Sequence, residues 1–232
     1  MALLSCKEPE RDSVKRVLEA AMAAHGETVF AMLTTGVRAS TLSFAQGDSF
    51  IANDFAVYPN QWLRHVVQKK DGSVLVKVLT GSSGFWVEGG KVADLPASEL
   101  QALAARRREN DAFDVFEVRS LEKVLQYRGR GEIGGEIVET VEQSGDSTQG
   151  RYRFRYSFSY ETGLLAKKEK LLNQGNDARL VEQYFVDYRK VKGLSIPFEV
   201  KTYLNSDPYS LEKVESIDFG QPLDPHTFER PK

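Results

Sequence analysis

Gly129, Gly131 and Gly134 have the spacing of a G-x-G-x-x-G loop. In a dinucleotide-binding fold, that loop closes a strand and opens a helix whose amino end holds a pyrophosphate. Here the residues after Gly134 return to strand alternation, Glu136 to Gln143, with no helix signal. The glycines are therefore expected to form a turn or bulge between strands. His25, His65 and His226 lie far apart, without an H-x-H or H-E-x-x-H pair, so zinc has no support and no cofactor is indicated. Gly81-Ser82-Ser83-Gly84 lacks the G-x-S-x-G order of a nucleophile elbow and reads as a turn. Carboxylates alternate with cations, as in Lys167-Lys168-Glu169-Lys170, which is the pattern of a solvated sheet face. No constellation for catalysis stands out, and the expectation is a protein that is not an enzyme.

The elements that must position any site are mostly strands. Ser13 to Ala24 reads as a helix, with Val14, Val17, Leu18, Ala21 and Met22 at helical spacing and Gly26 just past its end. A second helix is expected from Ala97 to Asn110 behind Pro96, with Leu100, Leu103 and Ala104 as its apolar stripe. Between the helices the period is two: Arg38 to Phe44, Ser49 to Val57, Trp62 to Lys69 and Ser73 to Leu79, the last two joined at Asp71-Gly72. Beyond the second helix, strands are expected at Val115 to Tyr127, Glu136 to Gln143, Arg151 to Tyr160, Leu164 to Leu172, Leu180 to Tyr188, Leu194 to Leu204 and Ser210 to Phe219. Ser144-Gly145-Asp146 and Asn205 to Pro208 serve among the separators.

In Arg151 to Tyr160, Tyr152, Phe154, Tyr156, Phe158 and Tyr160 point one way, and Arg151, Arg153, Arg155, Ser157 and Ser159 the other. One face should be buried and the other wet. Because the aromatic and basic groups fall on opposite faces, they cannot make the stacking and phosphate surface that single-stranded nucleic acid needs. The expected class is mainly β (α+β): a large curved antiparallel sheet whose apolar face is covered by helices. Residues 1–12 are read as a tail and 13–232 as a single domain.

Composition agrees. The chain has 232 residues, enough for a sizeable core, and 31 Lys and Arg against 33 Asp and Glu leave a net charge of -2, without the basic excess of a nucleic-acid binder. One Cys excludes an internal disulfide, and no apolar run approaches the ~18 residues of a membrane span.

Tyr160-Glu-Thr-Gly-Leu-Leu165, the run from Val186-Asp187-Tyr188 through Lys192-Gly193 to Ile196-Pro197-Phe198, and Pro222 to Phe228 together resemble the bacterial outer-membrane lipoprotein-sorting proteins, the LolA/LolB-like carriers and their relatives. Gly84 to Val92, followed by Leu95-Pro96 and a helix, resembles the middle of that family. The resemblance implies a LolA-like incomplete β-barrel with helices on its concave face and an apolar cavity for acyl chains. Candidates for that wall are Trp62, Phe85, Trp86, Leu100, Leu103, Tyr152, Phe154, Tyr156 and Phe158. A positioned Arg of the carriers has no assignable counterpart.

The implied function is a non-enzymatic lipid or lipoprotein carrier in the bacterial periplasm or at the periplasmic face of the outer membrane. The alternative is an envelope sensor or interaction module that docks a protein partner with the same fold. Met1 to Cys6 ahead of a polar stretch resembles the end of a lipoprotein signal, which would lipidate Cys6. The charged region and most of the apolar region of a signal are missing, so an incidental Cys is the preferred reading. Local logic accompanies the resemblance. Asp187-Tyr188 and Lys192-Gly193 can turn tightly, with Gly193 free to take positive φ, and Pro197, lacking a donor, should lie at a sheet edge or an interrupted ladder.

Overall fold

Alternation of apolar and polar residues becomes thirteen strands in the computed structural model, which describes residues 10–57, 62–101, 103, 114–147, 150–174 and 177–231. The first six are β1 (Thr35–Phe44), β2 (Ser49–Val57), β3 (Trp62–Gln68), β4 (Val74–Thr80), β5 (Ser83–Glu88) and β6 (Lys91–Asp94). The others are β7 (Gln126–Ile133), β8 (Glu136–Ser147), β9 (Gly150–Ser159), β10 (Leu165–Gln174), β11 (Asp177–Val191), β12 (Leu194–Leu204) and β13 (Asp207–Phe219). They join one antiparallel sheet in the order β6-β5-β4-β3-β2-β1-β13-β12-β11-β10-β9-β8-β7. Nearly every neighbour in space is a neighbour in sequence, as short connections require. Among the described residues no pairing joins β6 to β7, so the mainly β, antiparallel class is as expected and the sheet is not closed into a barrel.

The chain divides into two compact units. The first holds Met1–His25, Val115–Tyr184 and Tyr203–Asp207. Its helix α1 (Glu10–His25) buries the stripe read from the sequence, Val14, Val17, Leu18, Ala21 and Met22. His25 ends the helix from inside the protein: its Nδ1 donates to the Ala21 carbonyl at 2.8 Å, leaving Nε2 to accept from the Leu165 amide at 3.4 Å. Arg16 of α1 donates twice, at 2.8 Å each, to the buried Glu139 of β8, which also accepts from Tyr127 at 2.9 Å. Those donors, Arg16 first, hold the Glu139 carboxyl down at about 2 although burial pushes the other way.

Four expectations for this unit change. Val115 to Tyr127 is not one strand. Asp114–Ser120 is a helix, with Val115 and Val118 buried on one side, and β7 starts only at Gln126. The β-branched valines suggested a strand, but their spacing of three matches a helix face that tertiary burial selects. Ser144-Gly145-Asp146 is no separator, because β8 runs through it and pairs with Tyr152 and Arg151 of β9. A side chain at Gly145 would start 2.7 Å from the Tyr152 hydroxyl, so glycine makes room for the ring across the strand pair. The serine side of β9 is not wet: Ser157 and Ser159 are buried, and Ser157 shares a hydrogen bond with Thr140 at 2.9 Å. Likewise Lys167 and Lys168 are largely buried, Lys167 lying 2.6 Å from Glu182 and 5.0 Å from the Tyr184 ring centroid. The glycines of the G-x-G-x-x-G spacing make a bulge next to Gly129 and a turn at Gly134-Gly135.

The second unit holds Gly26–Asp114, Phe185–Thr202 and Pro208–Lys232. It contains α2 (Glu27–Phe30), a helix α3 described over 97–101 and at 103, strands β1 to β6, and a 3-10 helix at Pro225–Phe228. Asp187-Tyr188 is not a turn; both lie inside β11, where Asp187 has φ 53°. Pro197 is not at an edge, since β12 lies between β11 and β13. The irregular Asp187 on the neighbouring strand is the kind of interruption that a donor-less residue needs.

Candidate functional site

Cross-strand register places one set of side chains on one face of β1 to β4. Leu42 pairs with Phe50, Ala52 with Val67, Val67 with Leu75, and His65 with Lys77. Helix α3 covers part of this face. Its Leu103 is 5% exposed and packs with Ala56, Leu63, Leu79 and Leu95, with Leu100 and Trp86 against the same cluster. Gly84 permits that seating, because a Cβ there would lie 2.4 Å from the Val78 carbonyl and 3.0 Å from Leu100. The connection is fixed by the Leu95 amide donating to the Gly84 carbonyl at 3.0 Å.

Beyond the cluster no described residue fills the face. A cavity of about 360 Å³ lies between it and α3, within the range of small-ligand sites. Leu42, Phe44, Phe50, Ala52, Val67 and Leu75 make its floor, and Leu103 its apolar roof. The polar lining is His65, Lys69, Lys77 and Glu99. The two lysines are charge-compensated, Lys77 lying 2.6 Å from Glu99 and Lys69 2.6 Å from Glu88, and His65 Nδ1 shares a hydrogen bond with Asp54 at 2.5 Å. The hydrogen bond and charge of Glu88 raise Lys69 above the usual lysine range, so it stays protonated and paired. An apolar surface edged by neutralised ion pairs can take hydrocarbon from water, but it offers no free charge for an anion.

The opposite face of the same strands is closed. Val78, Phe85 and Phe228 form its core, joined by Trp62, whose ring centroid is 5.7 Å from that of Phe228. Arg64 binds the Thr227 carbonyl at 2.9 Å and ties the 3-10 helix down. Of the nine residues expected to form the wall, Leu103 lines the cavity, Leu100 and Trp86 pack in the cluster beside it, and Trp62 and Phe85 lie on the other face. Tyr152, Phe154, Tyr156 and Phe158 belong to the first unit. Tyr156 and Phe158 are buried there, and Tyr152, its ring tilted 47° to that of Phe154 at 5.7 Å between centroids, edges a polar cavity with Arg151 and Arg153. Cys6 lies outside the described residues.

The floor residues and His65 were not singled out from the sequence. Their signal was present in Leu63-x-His65-x-Val67-x-Lys69, where a histidine occupies an otherwise apolar register. Among the described residues no helix is long and apolar enough to cross a membrane. No group of three His, Cys, Asp or Glu is placed among them to hold a metal ion.

No protein-family profile matches the chain, and no curated protein matches it. Solved structures do. An outer membrane lipoprotein-sorting protein domain from Vibrio parahaemolyticus, so described, superimposes with a TM-score of 0.59 at 11% identity, covering 93% of this chain and 97% of that one. A LolA superfamily protein from Nitrosomonas europaea gives 0.58 at 13% identity, covering 96% and 99%. A DUF1329 family protein from Desulfovibrio piger gives 0.57 at 11%, covering 93% and 97%. The chain therefore has a LolA-like fold over nearly its whole length.

Proposed function

We propose that this protein is a non-enzymatic carrier or binder of lipid, taking one acyl chain into the cavity between the face of β1 to β4 and α3. The observation that supports it is the apolar floor from Leu42 to Leu75 beneath Leu103, left unfilled by the described residues, on a fold shared with a protein domain described as lipoprotein-sorting. Each methylene moved from water onto that floor contributes about 0.8 kcal/mol, so a chain can bind without a specific polar contact. A volume of about 360 Å³ suits a single chain better than a two-chain phospholipid. A bacterial envelope location follows from the same reading, with lipid or a lipoprotein's acyl chains as the cargo.

Native mass spectrometry of protein purified without detergent tests the proposal. A population heavier by one lipid, removed by delipidation and restored by lipid extract, is the expected result. A single species at the mass of the polypeptide, unchanged by lipid extract, counts against it.

A further inference from the structure

The polar cavity of the first unit, about 350 Å³ in volume, lies on β8, β9 and β10 and is lined by Ser144, Asp146, Arg151, Arg153 and Leu171 among others. Register sets Arg153 between Ser144 of β8 and Leu171 of β10, each directly across from it. Its guanidinium is permanently charged. The other charges on this face are matched. Glu142 holds Arg128 and Arg155, Asp146 lies 3.4 Å from Arg151, and Lys167 serves both Glu169 and Glu182. Arg153 has no hydrogen-bond or ion-pair partner among the described residues. Its Nε is buried, so the side chain is held by its surroundings instead of swinging in water. The two terminal nitrogens, neither enclosed nor paired, are the open donors that Arg153 brings to the cavity.

The surroundings define which ligand fits. One unmatched positive charge calls for one negative charge, and a dianion would leave an excess facing Asp146. The terminal nitrogens form an end-on fork that suits two oxygens of one group. Ser144 adds a hydroxyl on one side and Leu171 an apolar surface on the other. The volume leaves room beyond the oxyanion for a short organic group. We propose that Arg153 anchors a second ligand site, which takes a singly charged organic oxyanion, a carboxylate or a phosphodiester, with its apolar part over Leu171. The site belongs to the first unit, and the proposal does not rest on the acyl-chain reading.

NMR titration of the whole chain at low salt with butyrate, its neutral match butyramide, and diethyl phosphate tests the site. Butyrate is expected to bind roughly ten-fold more tightly than butyramide, the worth of one charge-assisted pair, with amide shifts at Ser144, Arg153 and Leu171. Acetate, two methylenes shorter, should bind about three-fold more weakly than butyrate, since an open surface covers only part of the chain. In Arg153→Gln, butyrate and butyramide should bind within about two-fold of each other. The Arg153 Nε–H resonance of the wild type should move with butyrate, which keeps the test valid if the variant misfolds. Binding of either butyrate or diethyl phosphate at these residues supports the site, and the tighter of the two identifies the oxyanion. Equal affinities for butyrate and butyramide in the wild type, or shifts confined to the second unit, overturn the anchor. Methyl phosphate, doubly charged at about pH 8, binding more tightly than diethyl phosphate overturns the match to a single charge.

Discussion

Leu79→Ala and Leu103→Ala delete the same atoms from one cluster, yet the structure expects different costs. Leu79 is 2% exposed within the cluster and does not line the cavity. Leu103 is 5% exposed and has the cavity on one side. Enclosed Leu→Ala changes cost about 3–5 kcal/mol, because the transfer loss is compounded by the void left behind. A leucine that borders an existing void has fewer partner atoms to lose, which places Leu103→Ala near the lower bound, about 2 kcal/mol. The expected gap is on the order of 1–2 kcal/mol. Urea unfolding of delipidated protein, followed by tryptophan fluorescence, reads it, since both tryptophans, Trp62 and Trp86, lie in the second unit. Equal costs near 4 kcal/mol would mean that side chains surround Leu103 and the cavity is filled. A negligible cost for Leu103→Ala would mean that α3 is not seated on the sheet.

Other perturbations address the supports of the site and of the first unit. Gly84→Val should unseat α3, with a cost of at least about 1–3 kcal/mol from overpacking against the Val78 carbonyl and a red-shifted Trp86 emission; an unchanged spectrum and midpoint would refute the close approach. Leu103→Arg places a cation on the apolar roof and should weaken binding of a fluorescent fatty-acid analogue by at least ten-fold, which equilibrium titration reads directly. Glu139 titrates near 4.5 when unfolded and at about 2 when folded. Its contribution is thus complete above pH 4.5 and lost as pH falls toward 2, at most about 3 kcal/mol and nearer 1–2 because Arg16 and Arg130 are half-exposed. Hydrogen exchange of the α1 amides against pH should show that loss in the wild type and a flatter profile in Glu139→Gln; identical profiles would remove Glu139 as the clamp.

How much could be read in advance depended on how local the signal was. The α1 stripe was legible because Val14, Val17, Leu18, Ala21 and Met22 recur at helical spacing, and the strand Leu194–Leu204 because Leu194, Ile196, Phe198 and Val200 recur at every second position. Val115 to Val118 was not, since β-branched side chains favour strands and only burial against the rest of the first unit selects the helix. The two faces of β3 were mixed for a related reason. Trp62 and Leu63 are both apolar, and only the register with Val57 and Ala56 shows that they serve opposite faces. The cavity itself depends on what is missing between β1 to β4 and α3, and a void has no residues to mark it. His65 did leave a trace, as a polar group in an apolar alternation, but its meaning required Asp54, eleven residues earlier on the adjacent strand.

The claim on which the functional account depends is that hydrocarbon enters the cavity. Its most direct test is displacement of a fluorescent fatty-acid analogue from delipidated protein by alkanols of increasing length. Affinity is expected to rise about four-fold per added methylene until the cavity is full, the ratio set by about 0.8 kcal/mol per group, and to be lost in Ala52→Phe, which fills the floor. Absence of saturable binding at micromolar analogue, or an affinity indifferent to chain length and to Ala52→Phe, would contradict it.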